Sequence, residues 1–281
     1  MLKAGYIQKL HLTRFTDNGA YLMDEEMNEV LLPNRYLTKK MAEGDAVEVF
    51  VYHDSEDRLV ASTDFPIIMC GEVDAVEVVD ISSFGVFLDW GLPKDLFMPK
   101  SNYTTRLNKG DVVVVAVYND SVTGRVVATS RLHAFVNNDN IIVSLGEKVR
   151  CVVAQENEVG YRVVINDKNW GVIYHNQIFK HIEIGDSFHG WVTRITEDNR
   201  IDVSLQQVGY DGVVDTATQI IDHIKKNGGT VKVTDRDTPE AIYAEFGMSK
   251  KLFKKSLGTL LKSGAVEQSE EGIKICEAKK E

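Results

Sequence analysis

The sequence predicts a mainly β chain: three tandem five-stranded barrels, then a C-terminal α+β domain with a winged helix-turn-helix outline. Three observations carry this. Glycine and Gly-Asp signals recur at a fixed spacing, each copy is rich in alternating β-branched residues, and a helical period begins only after Gln207. A length of 281 residues with 43% hydrophobic and 26% charged side chains is the composition of an ordinary globular protein.

The repeat comes first along the chain. Gly19, Gly85 and Gly160 each lie in a strand-like segment, and a Gly-Asp pair follows each after 25 residues: Gly44-Asp45, Gly110-Asp111 and Gly185-Asp186. Arg58, Arg125 and Arg200 then follow after 14, 15 and 15 residues, each opening a β-branched run. In the second copy the five strands are expected near 69–79, 84–90, 95–98, 111–118 and 125–131. A glycine inside a strand pattern predicts a bulge or sharp bend there. Five short strands with a bent first meander suit a small barrel of the OB type. The expected units are 1–66, 67–136 and 145–207, with a polar spacer around Asn137–Asn140.

Residues 208–281 form the fourth unit. Ala217, Ile220, Ile221 and Ile224 make one helical stripe, ended by Gly228-Gly229. Thr238-Pro239-Glu240 supplies a capping oxygen, a proline at the first helical position and an acid at the positive dipole end. That helix should stop at Gly247. Ser249 should cap a third helix reaching about Ser263, and VEQSEEGIKIC reads as a hairpin turning at Glu270–Gly272. Three helices and a hairpin make a winged helix.

Composition excludes several classes. No apolar run approaches the roughly 20 residues of a membrane span, and MLKAGYIQKL holds no secretory apolar core. Cys70, Cys151 and Cys276 are far apart and odd in number, so buried thiols are expected rather than disulfides or a metal cluster. The seven histidines show no paired metal-ligand spacing. No phosphate loop or nucleophile elbow appears, and Glu25-Glu26 and Glu270-Glu271 read as solvated charge. The expectation is a cytoplasmic, non-enzymatic protein without cofactor or metal.

The second unit resembles the S1-like RNA-binding domain. The resemblance rests on its valine-rich first strand, Ser83-Phe84-Gly85-Val86-Phe87, Leu96–Pro99, Gly110-Asp111 and Ala128-Thr129-Ser130-Arg131. The stretch TPEAIYAEFGMSKKLFKKSLGTLLKSG resembles the winged-helix end of the conserved virulence factor B family. That family combines tandem S1-like domains with a terminal winged helix and is regarded as a set of bacterial RNA-binding regulators. The resemblance implies a nucleic-acid-binding regulator of gene expression. It also implies aromatic binding positions at Phe84 and Phe87, where the first unit has Asn18 and Tyr21 and the third has Val159 and Arg162.

Charge narrows the choice of surface. The net formal charge is −10, but it is uneven: −8 over 1–145, −2 over 146–207 and zero over 208–281. Phosphate affinity needs clustered cations. Lys250, Lys251, Lys254, Lys255 and Lys262 lie between Met248 and Gly264 with no acid among them. Lys251, Lys255, Gly258 and Lys262 share one face, opposite Leu252, Phe253, Leu257, Leu260 and Leu261. The plainest alternative is a solvated lysine face. In the third unit Arg162, Tyr174 and His175 are the expected contacts, with Tyr161 pointing inward and Trp191 buried. Single-stranded RNA, bound by the third barrel and the lysine helix, is the expected ligand. DNA bound by the winged helix alone, or a protein partner on the acidic first two barrels, are the alternatives.

Overall fold

The computed structural model describes residues 2–178, 181–206, 210–269 and 272–276. The first barrel is β1 (Tyr6–Thr16), β2 (Gly19–Met23), β3 (Glu29–Pro33), β4 (Ala46–His53) and β5 (Leu59–Ser62). The second is β6 (Val73–Ile81), β7 (Gly85–Asp89), β8 (Leu96–Pro99), β9 (Val112–Asn119) and β10 (Val126–Thr129). The third is β11 (Lys148–Glu156), β12 (Gly160–Ile165), β13 (Asn169–Tyr174), β14 (Ser187–Ile195) and β15 (Ile201–Ser204). Each closes in the same order, first-second-third-fifth-fourth, with a parallel pair between its third and fifth strands. The predicted mainly β fold class is the observed one.

The repeated residues turn out to be the joints of this frame. Gly44, Gly110 and Gly185 adopt φ of +91°, +88° and +99°, a region that favours glycine. Their N–H groups donate to the carbonyls of Leu12, Val78 and Val153, each at 2.8 Å. The following aspartates accept from the backbone N–H three residues earlier: Asp45 from Ala42 at 2.8 Å, Asp111 from Asn108 at 2.7 Å, Asp186 from Glu183 at 2.9 Å. Leu12, Val78 and Val153 are where the first strand of each barrel slips register against the second. The bulge is therefore on β1, β6 and β11, not at Gly19, Gly85 and Gly160 as the pattern suggests. Those glycines serve a different need. A Cβ there would lie 2.1, 2.2 and 2.1 Å from the carbonyl oxygens of Leu32, Met98 and Ile173 across the sheet.

The barrels are fused through their walls. Phe50 and Tyr52 of β4 pack with Trp90 and Leu92 of the second barrel in one buried cluster. Val73, Val114, Leu132 and Val136 form another with Val152 and Val164 of the third barrel. Arg150 of β11 crosses that second seam to Asp74 at 2.5 Å and turns back to Asp167 at 3.1 Å. The polar spacer is stitched down as well. Buried Asn169 donates to the carbonyls of Asn137 and Asn140, both at 2.9 Å, and Asn138 donates to Trp170 and Asn199.

The C-terminal unit comprises α1 (Tyr210–Lys226), β16 (Thr230–Val231), α2 (Pro239–Phe246), α3 (Lys250–Lys262), β17 (Val266–Ser269) and β18 (Gly272–Ile275). Thr238 caps α2, accepting from Ala241 N, and Gly247 ends it at φ +67°. Ser249 caps α3, accepting from Leu252 N at 3.3 Å. Ile220, Ile224, Ile242, Phe253, Leu257 and Ile273 are its fully buried centre. The strand β18 lies between β16 and β17, making a three-stranded wing. Leu261 departs from the expected apolar face and is exposed, because the stripe rotates past the core at the end of α3.

Candidate nucleic-acid interface

The three barrels present one surface position in three chemistries. Register pairs Tyr21 with Leu31, Phe87 with Phe97 and Arg162 with Val172 on the second and third strands. In the first barrel the Arg14 guanidinium lies 4.1 Å from the centre of the Tyr21 ring, and Glu29 grips the same arginine through both carboxylate oxygens. The stacking face there is already covered by the chain's own cation.

The second barrel leaves the same face open. Phe84 is 79% exposed, and the half-buried Phe87 and Phe97 rings lie 5.3 Å apart, tilted by 44°. Gly85 makes this possible: a Cβ on it would come within 2.9 Å of the Phe97 ring. The hydroxyl of Ser82 accepts from the N–H groups of Phe84 and Gly85 at 3.3 and 3.2 Å, and Lys100 N donates to Phe84 O at 2.8 Å. The loop is thus pinned while its phenyl ring stays in solvent. Burial pushes the Asp95 carboxyl up beside this face, with the charges of Asp89 and Asp80 acting in the same direction. Phe97 is missing from the sequence-based site, because its partnership with Phe87 depends on a strand register that LFMP alone does not reveal.

The third barrel uses its expected side chains internally. Arg162 stacks on Trp170 with its guanidinium carbon 3.9 Å from the ring centre, and burial lowers its pKa. The Trp170 indole donates to Val136 O at 2.8 Å. Tyr174 donates its hydroxyl to Asp202 at 3.1 Å, and His175 Nε2 meets Asn157 O at 2.9 Å. The Tyr161 ring stands edge-on to His175 at 5.3 Å, half-buried. Trp191, expected inside, is only half-buried, with Lys148 Nζ 5.9 Å from its centre.

On α3 the lysines separate into two groups. Lys251, Lys255 and Lys262 are exposed on the outer face. Lys250 instead donates to Asp237 O at 2.7 Å, and Lys254, exposed as well, lies 3.7 Å from Asp235. The helix carries no acid, yet the loop before α2 supplies Asp235 and Asp237, which their sequence distance concealed. Asp235 also accepts from Gln268 on β17 at 2.7 Å, tying helix to wing. A Cβ on Gly258 would touch nothing within 4 Å, so no internal packing requires glycine there. Among the described residues no group of three or more His, Cys, Asp or Glu side chains is arranged to hold a metal. No helix among them is long and apolar enough to cross a membrane.

Comparison with known proteins agrees with this architecture. The S1 domain family matches residues 4–64 and 70–131, and the CvfB-like winged helix domain matches residues 218–275. These are nucleic-acid-binding domain types. A crystal structure of a multidomain protein with nucleic acid binding domains from Streptococcus pneumoniae is 21% identical, with 97% of this chain and 98% of that one covered at a TM-score of 0.44. Conserved virulence factor B of Staphylococcus epidermidis is 22% identical over 78% of this chain and 76% of its own length. The uncharacterized protein YitL of Bacillus subtilis is 30% identical over 95% of this chain and 92% of its own. With S1 domains in front, a CvfB-like winged helix behind and a relative matched along nearly its whole length, the chain belongs to the conserved virulence factor B family.

Proposed function

We propose that this protein is a cytoplasmic, non-enzymatic regulator of gene expression that binds single-stranded RNA. The observation that carries the reading is the open aromatic face of the second barrel, where Phe84 is 79% exposed beside Phe87 and Phe97. Ring stacking is worth about 1–3 kcal/mol per base and needs unpaired bases. The first 145 residues carry a net charge of −8, so this face holds a strand through its bases. Phosphate contact falls to Lys251, Lys255 and Lys262 on α3, with Lys250 tied to the loop before α2 and the exposed Lys254 near Asp235. Arg162, Tyr174 and His175 form a weaker secondary surface, since a bound strand would compete with their existing partners.

Fluorescence anisotropy with labelled single-stranded RNA, single-stranded DNA and duplex DNA at two salt concentrations tests this. Lys251→Glu/Lys255→Glu/Lys262→Glu is expected to weaken RNA binding and to flatten its salt dependence by about two in log-log slope. Binding confined to duplex DNA would move the function to the winged helix alone. No affinity for any of the three would leave a protein-docking scaffold.

A further inference from the structure

Beyond the open face lies a cleft that neither barrel makes alone. It encloses about 360 Å3 between the end of β4 and the β7–β8–β10 side of the second barrel. Clefts of about 300–1,000 Å3 lined by aromatic groups and a few fixed polar atoms are typical of small-ligand sites. One wall is the second barrel's Phe84, Phe87 and Phe97; the other is Tyr52 and His53 of the first. The back is rigid. Trp90 stands edge-on to Tyr52 at 6.3 Å, and its indole donates to Lys94 O at 2.6 Å. Two polar ties hold the gap at a set width. Lys94 Nζ donates across it to Asp54 O at 2.6 Å, and Arg125 pairs across it with Asp57 at 2.5 Å.

His53 lines this wall and has one ring nitrogen, the buried Nδ1, without a hydrogen-bond partner among the described residues. Burial lowers the His53 pKa, and the charges of Lys94 and Arg125 act in the same direction against Asp57 and Asp54. The ring is therefore neutral near pH 7, and a neutral imidazole nitrogen can donate or accept one hydrogen bond. Asp95 lines the same cleft and disfavours an anion while accepting from N–H groups. A flat, apolar-faced group with hydrogen-bonding edges fits this lining, whose two cations, Lys94 and Arg125, are already engaged by Asp54 O and Asp57.

We infer that the seam between the first and second barrels is a nucleobase pocket, which takes one base of the strand stacked on Phe84, Phe87 and Phe97. This rests on the RNA-binding reading, but it adds a contact from the first barrel. It also makes that barrel a wall of the site even though its own stacking face is covered.

The test places a single 2-aminopurine in an oligouridine and follows its fluorescence on titration with the full chain. Adenosine and AMP are titrated in parallel to separate a strand base from a free nucleotide. His53→Phe, which keeps a ring of similar size and removes its hydrogen-bonding nitrogens, is expected to weaken binding about tenfold. A second measurement keeps the wild-type protein intact: an oligonucleotide carrying 4-thiouridine is irradiated and the cross-linked peptides are identified. Cross-links to Tyr52 or His53 alongside Phe84 or Phe87 support the pocket. Binding that Phe84→Ala weakens but His53→Phe leaves within twofold, with no cross-link at residues 52–53, overturns it while leaving the RNA reading in place. Saturable adenosine binding lost in His53→Phe, without oligonucleotide affinity, would sustain the pocket and overturn the RNA reading.

Discussion

The second and third barrels are built on the same joints and present opposite surfaces. In both, a Gly-Asp pair locks the bulged first strand and a glycine at the start of the second strand lets a carbonyl approach. Two residues further along that strand stands Phe87 in one and Arg162 in the other. Phe87 packs on Phe97 and leaves ring surface in solvent; Arg162 lies on Trp170 and closes the surface. The residues that close a barrel and the residues that use it are thus separable, and each set can be broken alone.

The largest expected effect comes from the open face. Phe84→Ala/Phe87→Ala removes two stacking groups and should cost about 3 kcal/mol of RNA affinity, roughly a hundredfold. Arg162→Ala should shift affinity less than about threefold and cost the fold about 0.5–1 kcal/mol through the lost contact with Trp170. An equal loss from both variants, read by anisotropy, would mean that the two faces share the strand.

Breaking the shared joint comes next. Gly85→Ala and Gly160→Ala each force a Cβ to about the same distance from a backbone carbonyl, 2.2 Å from Met98 O and 2.1 Å from Ile173 O. Overpacking of this kind costs about 1–3 kcal/mol, and the two variants should lose similar amounts in urea unfolding. Gly85→Ala should also displace Phe97 and so weaken RNA binding, which Gly160→Ala should not. If Gly160→Ala melts like wild type, the equivalence of the joints fails.

This division also explains what was legible in the sequence. The joints recur because each barrel must solve the same closure problem, so a 25-residue interval between Gly85 and Gly110 repeats with Gly160 and Gly185. The caps at Thr238 and Ser249 are local, and the residues that make them are neighbours in the chain. What stayed hidden depends on distant partners. The bulge sits at Val78 rather than Gly85 because the pairing of β6 with both β7 and β9 decides it. Phe97 joins the site only through its register with Phe87, and Asp235 reaches Lys254 only once the helices pack. His53 becomes part of a cleft only when two barrels meet.

A smaller effect would sharpen the role of the lysine helix against the aromatic face. Gly258→Ala fills empty space on α3 and should stabilise the winged helix by about 1 kcal/mol, since alanine is the better helix former. A nucleic-acid backbone lying between Lys255 and Lys262 would meet the new methyl group. Higher thermal stability with RNA affinity lowered about threefold is the expected pair of results. Higher stability with affinity unchanged would leave those lysines as a solvated face and concentrate binding on the second barrel.

The smallest effect concerns the seam that borders the open face. Burial holds His53 below the ordinary histidine value in the fold, so the unfolded chain takes up its proton first as pH falls. The contribution is fully present above about pH 6.5 and is lost as pH falls from there through the lower folded value. His53→Gln removes this titration and keeps a polar side chain. The stability of wild type minus that of the variant should therefore decline in urea unfolding curves as pH falls through and below the ordinary histidine value, whatever other groups titrate in both. A bound strand that donates to the His53 ring holds it neutral still further down, so saturating RNA should leave the onset, which the unfolded chain sets, in place and carry the decline on to lower pH. A decline that levels off at the same pH and depth with and without RNA would show that the strand passes the seam without entering it, and the first barrel would then differ from the second in function as well as in surface.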